Sequence, residues 1–182
     1  MITTIKEKLI IDNGFYKVFN DHVSFGNSEG HHLKIVASKG KGGVIVLPFH
    51  ADGRLYLHKE YRYASQQWLI SSVAGMQEDS ESAIETAHRE LSEEMSLTTT
   101  DMIYLGSINE LPSLMKQNSS IFIALNCQPI NDNTNQDESE FFSNKILLSL
   151  DEVDQLIINQ DITYASLMCA IYKAKLFFAT PQ

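Results

Sequence analysis

Cysteine is scarce in this sequence of 182 residues, which contains only Cys127 and Cys169. The two lie far apart and stand in no CxxC or metal-ligand spacing, so the sequence offers no thiol-based metal or redox motif. Free cysteines are commonly buried as small apolar side chains. We therefore expect both to be reduced packing residues.

Positive charge is also scarce, with 14 Lys and Arg against 23 Asp and Glu and a formal net charge of −9. A charge of this sign repels nucleic acid and anionic membrane surfaces, so neither is expected as a partner. It also leaves a phosphate-bearing ligand in need of local neutralisation. A bound divalent cation would supply it.

Long hydrophobic runs are absent. No stretch approaches the roughly 18 apolar residues of a membrane-spanning helix, and residues 1–14 mix charges among their apolar side chains instead of forming a signal-peptide core. We expect a soluble, cytoplasmic protein. The length and the 43% hydrophobic composition favour a single domain over residues 1–182.

The apolar pattern predicts strands in the first half of the chain and helices further along. Turn signals separate the strands, and Asp52-Gly53 between two apolar runs is a strong hairpin signal. Predicted strands cover residues 6–11, 16–19, 33–38, 44–49, 55–61, 102–108, 121–126 and 145–148, and predicted helices cover 80–95, 151–158 and 164–178. The polar segment 128–140 is predicted as a long loop. The order of elements predicts a mixed sheet flanked by helices.

Three carboxylates crowd one turn of the helix predicted over residues 80–95. At about 100° per residue, Glu94 projects about 40° from Glu90, and Glu93 about 60° to the other side. Like charges at these spacings repel each other, and carboxylates near a helix C-terminus oppose its dipole. Hard divalent cations such as Mg²⁺ prefer carboxylate oxygens and would offset the repulsion. A solvated acidic face is the alternative.

The same segment carries a longer motif. Gly75 and Glu81 precede the run Arg89-Glu-Leu-Ser-Glu-Glu-Met-Ser-Leu97 with the spacing Gly-x5-Glu-x7-Arg-Glu-Leu-x-Glu-Glu-x-Ser-Leu. Residues 75–97 thereby resemble the Nudix box at every fixed position except the last glycine, where this chain has Ser96. Three further segments resemble the ADP-ribose pyrophosphatase branch of the Nudix hydrolases: Glu60-Tyr-Arg62, Val73-Ala-Gly75 and Asp161-Ile-Thr-Tyr-Ala-Ser-Leu167.

The resemblance implies an α/β Nudix fold, a mixed sheet sandwiched between helices, with an antiparallel strand region at about residues 1–40. It also implies a homodimer in which these strands of one subunit reach the active site of the other. The implied reaction is magnesium-dependent hydrolysis of the pyrophosphate bond in a nucleoside diphosphate derivative, with ADP-ribose giving AMP and ribose 5-phosphate as the leading case. Mn²⁺ is the expected substitute metal.

Site roles follow from the resemblance residue by residue. It implies that Glu90 and Glu94 are primary Mg²⁺ ligands and that the backbone carbonyl of Ala74 is a further ligand. It implies that Glu93 binds or orients a second metal and its water. Arg89 is expected to hold Glu93 or its neighbours. Glu81 stands at the helix start, where a structural role and a catalytic role are both open.

A further acid is expected from the segment 128–140, because a water attacking phosphorus needs a positioned base or an additional metal ligand. Glu138 and Glu140 resemble the late acidic pair of the ADP-ribose pyrophosphatases, and they are the predicted catalytic acids. The loop also offers Asp132 and Asp137. A solvated acidic loop without catalytic function is the alternative.

Two departures from the pattern matter. Ser96 stands just past the helix end, where φ > 0 is common, so a serine there costs about 1 kcal/mol or forces a different exit. Ser71-Ser-Val73 stands where the branch usually has Glu-x-Pro, and the missing acid removes a candidate outer-shell or substrate contact. The alternatives are therefore another nucleoside diphosphate sugar, a dinucleotide or a modified nucleotide as substrate, or a non-catalytic nucleotide-sensing module.

Arg62 is the predicted substrate-binding residue, since an arginine fork can meet phosphate oxygens, with a surface charge as the alternative. Four aromatic side chains are candidates for stacking on a base, but burial in the core is the prediction for each, because large aromatics dominate cores. They are Phe15, Tyr16, Phe25 and Trp68. The adjacent His31 and His32 are predicted to be surface residues and not metal ligands.

Overall fold

The computed structural model describes residues 1–38, 42–130 and 145–180. The strands are β1 (Thr3–Lys6), β2 (Leu9–Asp12), β3 (Tyr16–Ser24), β4 (Glu29–Ala37), β5 (Gly43–Pro48), β6 (Leu55–Arg62), β7 (Gln67–Ser71), β8 (Val73–Met76), β9 (Leu97–Thr98), β10 (Asp101–Ile108), β11 (Ser119–Leu125), β12 (Gln128–Pro129) and β13 (Ile146–Leu148). The helices are α1 (Ala83–Met95), α2 (Leu150–Ile158) and α3 (Ala165–Ala179). No helix in the described ranges is long and apolar enough to cross a membrane.

A mixed sheet with the strand order β10-β11-β5-β8 forms the centre of the molecule. Strands β11 and β5 are parallel, and the other two pairs are antiparallel. Because side chains alternate along a strand, β5 contributes to two cores. Ile45 and Leu47 pack in the cluster that contains residues of α2 and α3, whereas Val44 and Val46 pack in the cluster that contains Leu91 of α1. The sheet thus lies between helices, as the sequence predicts.

Strands β13, β6 and β7 form an antiparallel sheet beside the central one. A tight turn at Asp52-Gly53 leads from β5 into β6, with Gly53 at φ 86° and its N–H donating to the carbonyl of His50 at 2.9 Å. The turn is confirmed, whereas the hairpin pairing is limited to the isolated bridge between Phe49 and Leu55, because β5 and β6 lie in different sheets. Strands β7 and β8 were not predicted from the apolar pattern.

The N-terminal strands form a separate antiparallel sheet around β3, with β1 and β2 along one edge and β4 along the other. The prediction of one strand over residues 6–11 is wrong, because the strand is interrupted at residues 7–8 between β1 and β2. The N–H of Lys8 donates to the buried carboxylate of Asp21 at 3.1 Å, and its carbonyl accepts from the N–H of Asn20 at 2.8 Å. The Asp21 carboxylate also pairs with Lys34 at 2.7 Å.

The prediction that the four aromatic side chains are buried in the core is wrong. Phe15 is 77% exposed, Trp68 53% and Phe25 44%, and Tyr16 is half-buried. Phe15 and Phe25 lie at turns of the N-terminal sheet, one before β3 and the other directly after it. Trp68 lies near the free end of the β6–β7 hairpin, with its ring centroid 5.7 Å from that of Tyr61. The cysteines are free, as predicted: Cys127 is buried and Cys169 half-buried. His31 and His32 are exposed, also as predicted.

Candidate active site

The acidic helix α1 is capped by a serine at each end. Ser82 is the N-cap, and its hydroxyl accepts from the N–H of Glu85 while the carboxylate of Glu85 accepts from the N–H of Ser82 at 2.8 Å. This capping box starts the helix at Ala83, three residues beyond the predicted start. At the other end Ser96 has φ 46° and ψ 44°, the left-handed conformation expected there. Lys145 also donates to the carbonyl of Met95 at 2.6 Å, which satisfies a carbonyl at the helix end.

Glu90 faces the backbone of the edge strand β8. A Cβ atom built on Gly75 would overlap the carboxylate of Glu90, so only glycine leaves room for this side chain to lie over the strand. The residue is 9% exposed. Burial raises the pKa of the Glu90 carboxyl, and the charge of Arg89 opposes that rise.

Glu94 lies one turn further along, 8% exposed, and its carboxylate is 3.4 Å from the backbone N–H of Ala74. The side chain of Glu93 is 44% exposed. The structure therefore brings together Glu90, Glu94 and the backbone of Ala74, with Glu93 on the more exposed flank. These are the residues for which the motif predicts metal binding.

Arg89 lies at the centre of this acidic group. One of its terminal nitrogens, Nη1, is 2.8 Å from Oε1 of Glu90 and 2.8 Å from Oε2 of Glu93. The other, Nη2, donates to the carbonyl of Met76 at 3.1 Å. The hydrogen bond with Glu81, followed by the contacts with Glu90 and Glu93, raises the pKa of Arg89 further above its ordinary value. The guanidinium thus supplies the positive charge that offsets the repulsion between the glutamates.

Glu81 is the strongest partner of Arg89. Nε of Arg89 is 2.8 Å from Oε1 of Glu81, and Nη2 is 3.1 Å from Oε2. The carboxylate also accepts from the hydroxyl of Thr86 at 2.9 Å and from the N–H of Glu78 at 3.2 Å. These bonds, with that of Arg89 first, lower the pKa of Glu81 to about 2. Sequence reasoning missed this pairing, although both residues are fixed positions of the motif.

The donor set at the β8–α1 junction suits a hard divalent cation, because it consists of carboxylate and carbonyl oxygens. Gly75 is also consistent with a cation site, because it lets the Glu90 carboxylate approach the backbone of β8. Within the described ranges no three His, Cys, Asp or Glu side chains are already placed to hold a metal ion together. Arg89 holds three of the carboxylates, those of Glu81, Glu90 and Glu93.

Arg62 belongs to a second polar group, at the β6–β7 sheet. Its Nη1 is 2.7 Å from Oε1 of Glu60, and its Nη2 is 3.5 Å from the hydroxyl of Ser71. The guanidinium carbon lies 5.4 Å from the ring centroid of Tyr164. Burial raises the pKa of Tyr164. The predicted acids Glu138 and Glu140 lie outside the described residues.

Comparison with known proteins places this geometry in a family. The NUDIX domain model matches residues 40–169. The chain therefore belongs to the NUDIX domain family, and its class is that of the Nudix pyrophosphohydrolases. Members of the family generally need a divalent metal.

Three relatives are similar over much of the chain. The ADP-ribose pyrophosphatase of Bacillus subtilis (strain 168) is 23% identical over 168 residues, which is 92% of this chain and 89% of the relative. The methanol dehydrogenase activator of Bacillus methanolicus is 26% identical over the same shares of the two chains. The ADP compounds hydrolase NudE of Escherichia coli (strain K12) is 22% identical over 70% of this chain and 68% of the relative. The resemblance to the ADP-ribose pyrophosphatase branch is confirmed.

A solved structure described as an ADP compounds hydrolase matches the fold with a TM-score of 0.84. The match covers 97% of this chain and 93% of that chain at 20% sequence identity. The predicted fold, a mixed sheet between helices with an N-terminal antiparallel strand region, is confirmed.

Proposed function

We propose that this protein hydrolyses the pyrophosphate bond of a nucleoside diphosphate derivative in a magnesium-dependent reaction, and that ADP-ribose is converted to AMP and ribose 5-phosphate. The observation that carries the proposal is the buried pair Glu90 and Glu94 beside the backbone of Ala74 and Gly75. The name of the Bacillus subtilis relative, an ADP-ribose pyrophosphatase, supports the choice of substrate.

The residues that would hold Mg²⁺, or Mn²⁺ in its place, are Glu90, Glu93, Glu94 and the carbonyl of Ala74. When bound, such a metal neutralises the pyrophosphate and lowers the pKa of a water. Arg89 holds Glu90 and Glu93 in place through contacts of 2.8 Å, so the acids are pre-organised before a ligand arrives. Glu93 is the most exposed of the three and is the one best able to reach a water.

A panel of nucleotides tests the proposal. Purified protein is incubated with Mg²⁺ and ADP-ribose, other nucleoside diphosphate sugars, NADH or modified nucleotides, and the release of phosphate is scored after coupling to a phosphatase. We expect release from ADP-ribose and loss of release on chelation. No release from any compound would contradict the proposal.

Two amide variants test the site itself. Glu90→Gln and Glu94→Gln should each lower kcat by orders of magnitude, because each removes a charge proposed to bind metal. The fold should remain, since the loss of a like charge relieves repulsion within α1. Near-normal turnover of either variant at saturating Mg²⁺ would remove that residue from the site.

The choice of substrate has a second candidate, another ADP-linked compound. Ser71 stands where the ADP-ribose pyrophosphatase branch usually has an acid, and its hydroxyl donates to the carbonyl of Ser72 at 3.1 Å. The name of the Escherichia coli relative, an ADP compounds hydrolase, supports this wider class. In the same panel, faster release from a dinucleotide than from ADP-ribose would favour it.

We also propose a cytoplasmic homodimer built through the N-terminal sheet. Several large apolar side chains of this sheet are half or more exposed: Ile2, Leu9, Ile10, Ile11, Phe15 and Leu33. A second copy that covers them would remove apolar surface from water. Light scattering at micromolar concentration should give twice the mass of the chain. A fully active monomer would contradict the dimer.

A further inference from the structure

Glu60 and Arg62 form an ion pair on one face of β6. Residues two apart on a strand point to the same side, so their side chains are neighbours. Nη1 of Arg62 is 2.7 Å from Oε1 of Glu60. The Glu60 side chain is 12% exposed, whereas that of Arg62 is 36% exposed. The acid is therefore the buried partner, and the Arg62 side chain is the more exposed one.

The buried position of Glu60 requires a partner, because an ionised carboxylate removed from water is costly unless it is paired. Arg62 supplies the charge, and Nε2 of the buried His58 lies 4.0 Å from the other carboxylate oxygen. The carboxylate is thus fixed by its surroundings. An arginine paired with a fixed acid has fewer rotamers open to it than a free surface arginine.

The other neighbours of Arg62 hold it more weakly. The hydroxyl of Ser71 is 3.5 Å from Nη2, at the limit of hydrogen bonding. Tyr164 presents its ring 5.4 Å from the guanidinium carbon, a distance suited to a cation–π contact. Neither contact fixes the direction of the N–H groups as a charged hydrogen bond does. Glu60 is the neighbour that sets the orientation of the fork.

We propose that Glu60 is a positioning residue that holds Arg62 so that its remaining N–H donors face a substrate phosphate. The inference rests on the proposed function, in which Arg62 binds substrate. An arginine has five N–H donors, and the 36% exposure of the Arg62 side chain leaves room for phosphate oxygens to meet those that Glu60 does not use. Glu60 orients the guanidinium through a charged hydrogen bond, whereas the contact with the Ser71 hydroxyl is uncharged and longer.

A mutant cycle tests the proposal. Glu60→Gln, Arg62→Lys and the double variant are assayed with ADP-ribose. Glu60→Gln keeps the shape of the side chain and removes its charge. It should raise KM about tenfold with kcat within about threefold, the scale of one charged hydrogen bond. In the Arg62→Lys background the same change should have little further effect, because Glu60 acts through Arg62.

Asp52→Asn is the matched control. Asp52 and Arg54 are also two residues apart and also 2.7 Å apart, but both are well exposed at the β5–β6 turn. Asp52→Asn should leave KM and kcat unchanged. Thermal unfolding of each variant separates positioning from stability. If Glu60→Gln does not fold, Glu60→Asp takes its place in the cycle, because a shorter side chain withdraws the carboxylate from Arg62.

The outcomes separate this inference from the proposed function. An unchanged KM in Glu60→Gln, or an equal rise in both backgrounds, would overturn the positioning role while the hydrolase activity stands. If the wild-type protein does not hydrolyse ADP-ribose, the proposed substrate is wrong. The same four proteins are then compared by their dissociation constants for ADP, measured by calorimetry. If Glu60→Gln weakens ADP binding when Arg62 is present but not in the Arg62→Lys variant, the inference is supported. An equal change in both, or no change in either, overturns it.

Discussion

Arg89 makes a bidentate ion pair with Glu81, with Nε 2.8 Å from one carboxylate oxygen and Nη2 3.1 Å from the other. Such bidentate pairs fix geometry as well as charge. Glu81 stands before the helix, and Arg89 stands in the middle of α1. The pair therefore holds the loop after β8 against the same turn that carries Glu90 and Glu93.

Loss of the Glu81 charge should loosen the acidic site. Glu81→Gln leaves Arg89 without its strongest partner, so the guanidinium is free to shift toward Glu90 and Glu93. Substitutions that disturb the support of metal ligands typically cost about 10- to 100-fold in metal affinity or activity, and we expect a loss in this range. The measurement is kcat as a function of Mg²⁺ concentration.

Glu85→Gln is the control for Glu81→Gln. Glu85 belongs to the capping box at the same end of α1, where its carboxylate bonds Ser82. Its replacement should lower the melting temperature and leave the Mg²⁺ dependence unchanged. Should Glu81→Gln behave like Glu85→Gln, with only stability affected, Glu81 would be a structural residue of the helix start.

Gly75→Ala should damage activity more than stability. A Cβ at this position overlaps the Glu90 carboxylate, which is the far end of a flexible side chain and can move aside without a shift of the backbone. A displacement of about 1 Å at a catalytic group can cost about 100-fold in rate. We expect a loss of kcat on this scale with a nearly unchanged melting temperature. Full activity would mean that the position of Glu90 seen here is not the one used in catalysis.

The N-terminal sheet should weaken in acid through Asp21. The bond from Lys34, together with that from the N–H of Lys8, lowers the pKa of the Asp21 carboxyl below 3.8. A lowered folded-state pKa adds stability that is fully present above the unfolded value and is lost as the pH falls through the folded value. Asp21→Asn should therefore destabilise the protein by about 1 to 3 kcal/mol near neutral pH.

Denaturant unfolding at several pH values checks the Asp21 prediction. The difference in unfolding free energy between the wild type and Asp21→Asn should be constant above about pH 5 and shrink as the pH falls below 3.8. A difference that does not depend on pH would show that Asp21 acts through packing and not through its charge.

Local spacing made the acidic cluster predictable. Arg89, Glu90 and Glu93 lie within about one turn of a helix, so their neighbourhood follows from 3.6 residues per turn. The left-handed exit at Ser96 was also predictable, because it depends on the helix end alone. The pairing of Glu60 with Arg62 follows from the two-residue period of a strand and could have been found in the same way.

Contacts that join distant segments were not predictable from the sequence. The ion pair of Glu81 with Arg89 depends on how the loop before α1 folds back onto the helix. The break between β1 and β2 depends on Asp21, which lies 13 residues beyond Lys8 in the chain. The exposure of Trp68 depends on what packs over the β6–β7 hairpin, whereas its residue type alone favours burial.

The late acids Glu138 and Glu140 remain a prediction. The helix cluster can hold metal, but a water attacking phosphorus also needs a positioned base or another ligand. A solubilising charge can be lost without kinetic effect, whereas a catalytic base contributes typically about 10²- to 10⁴-fold. Glu138→Gln and Glu140→Gln should therefore be made separately, and at least one should lower kcat on this scale.

The assay of these two variants uses the substrate that the nucleotide panel identifies, across about pH 6 to 9, so that a shifted pH profile is seen as well as a lower rate. Retention of kcat within about threefold by both variants lies far below the range of a catalytic base and would end the assignment. The base would then be sought first at Glu93. Its side chain is 44% exposed, which gives it the access to water that the more deeply buried Glu90 lacks.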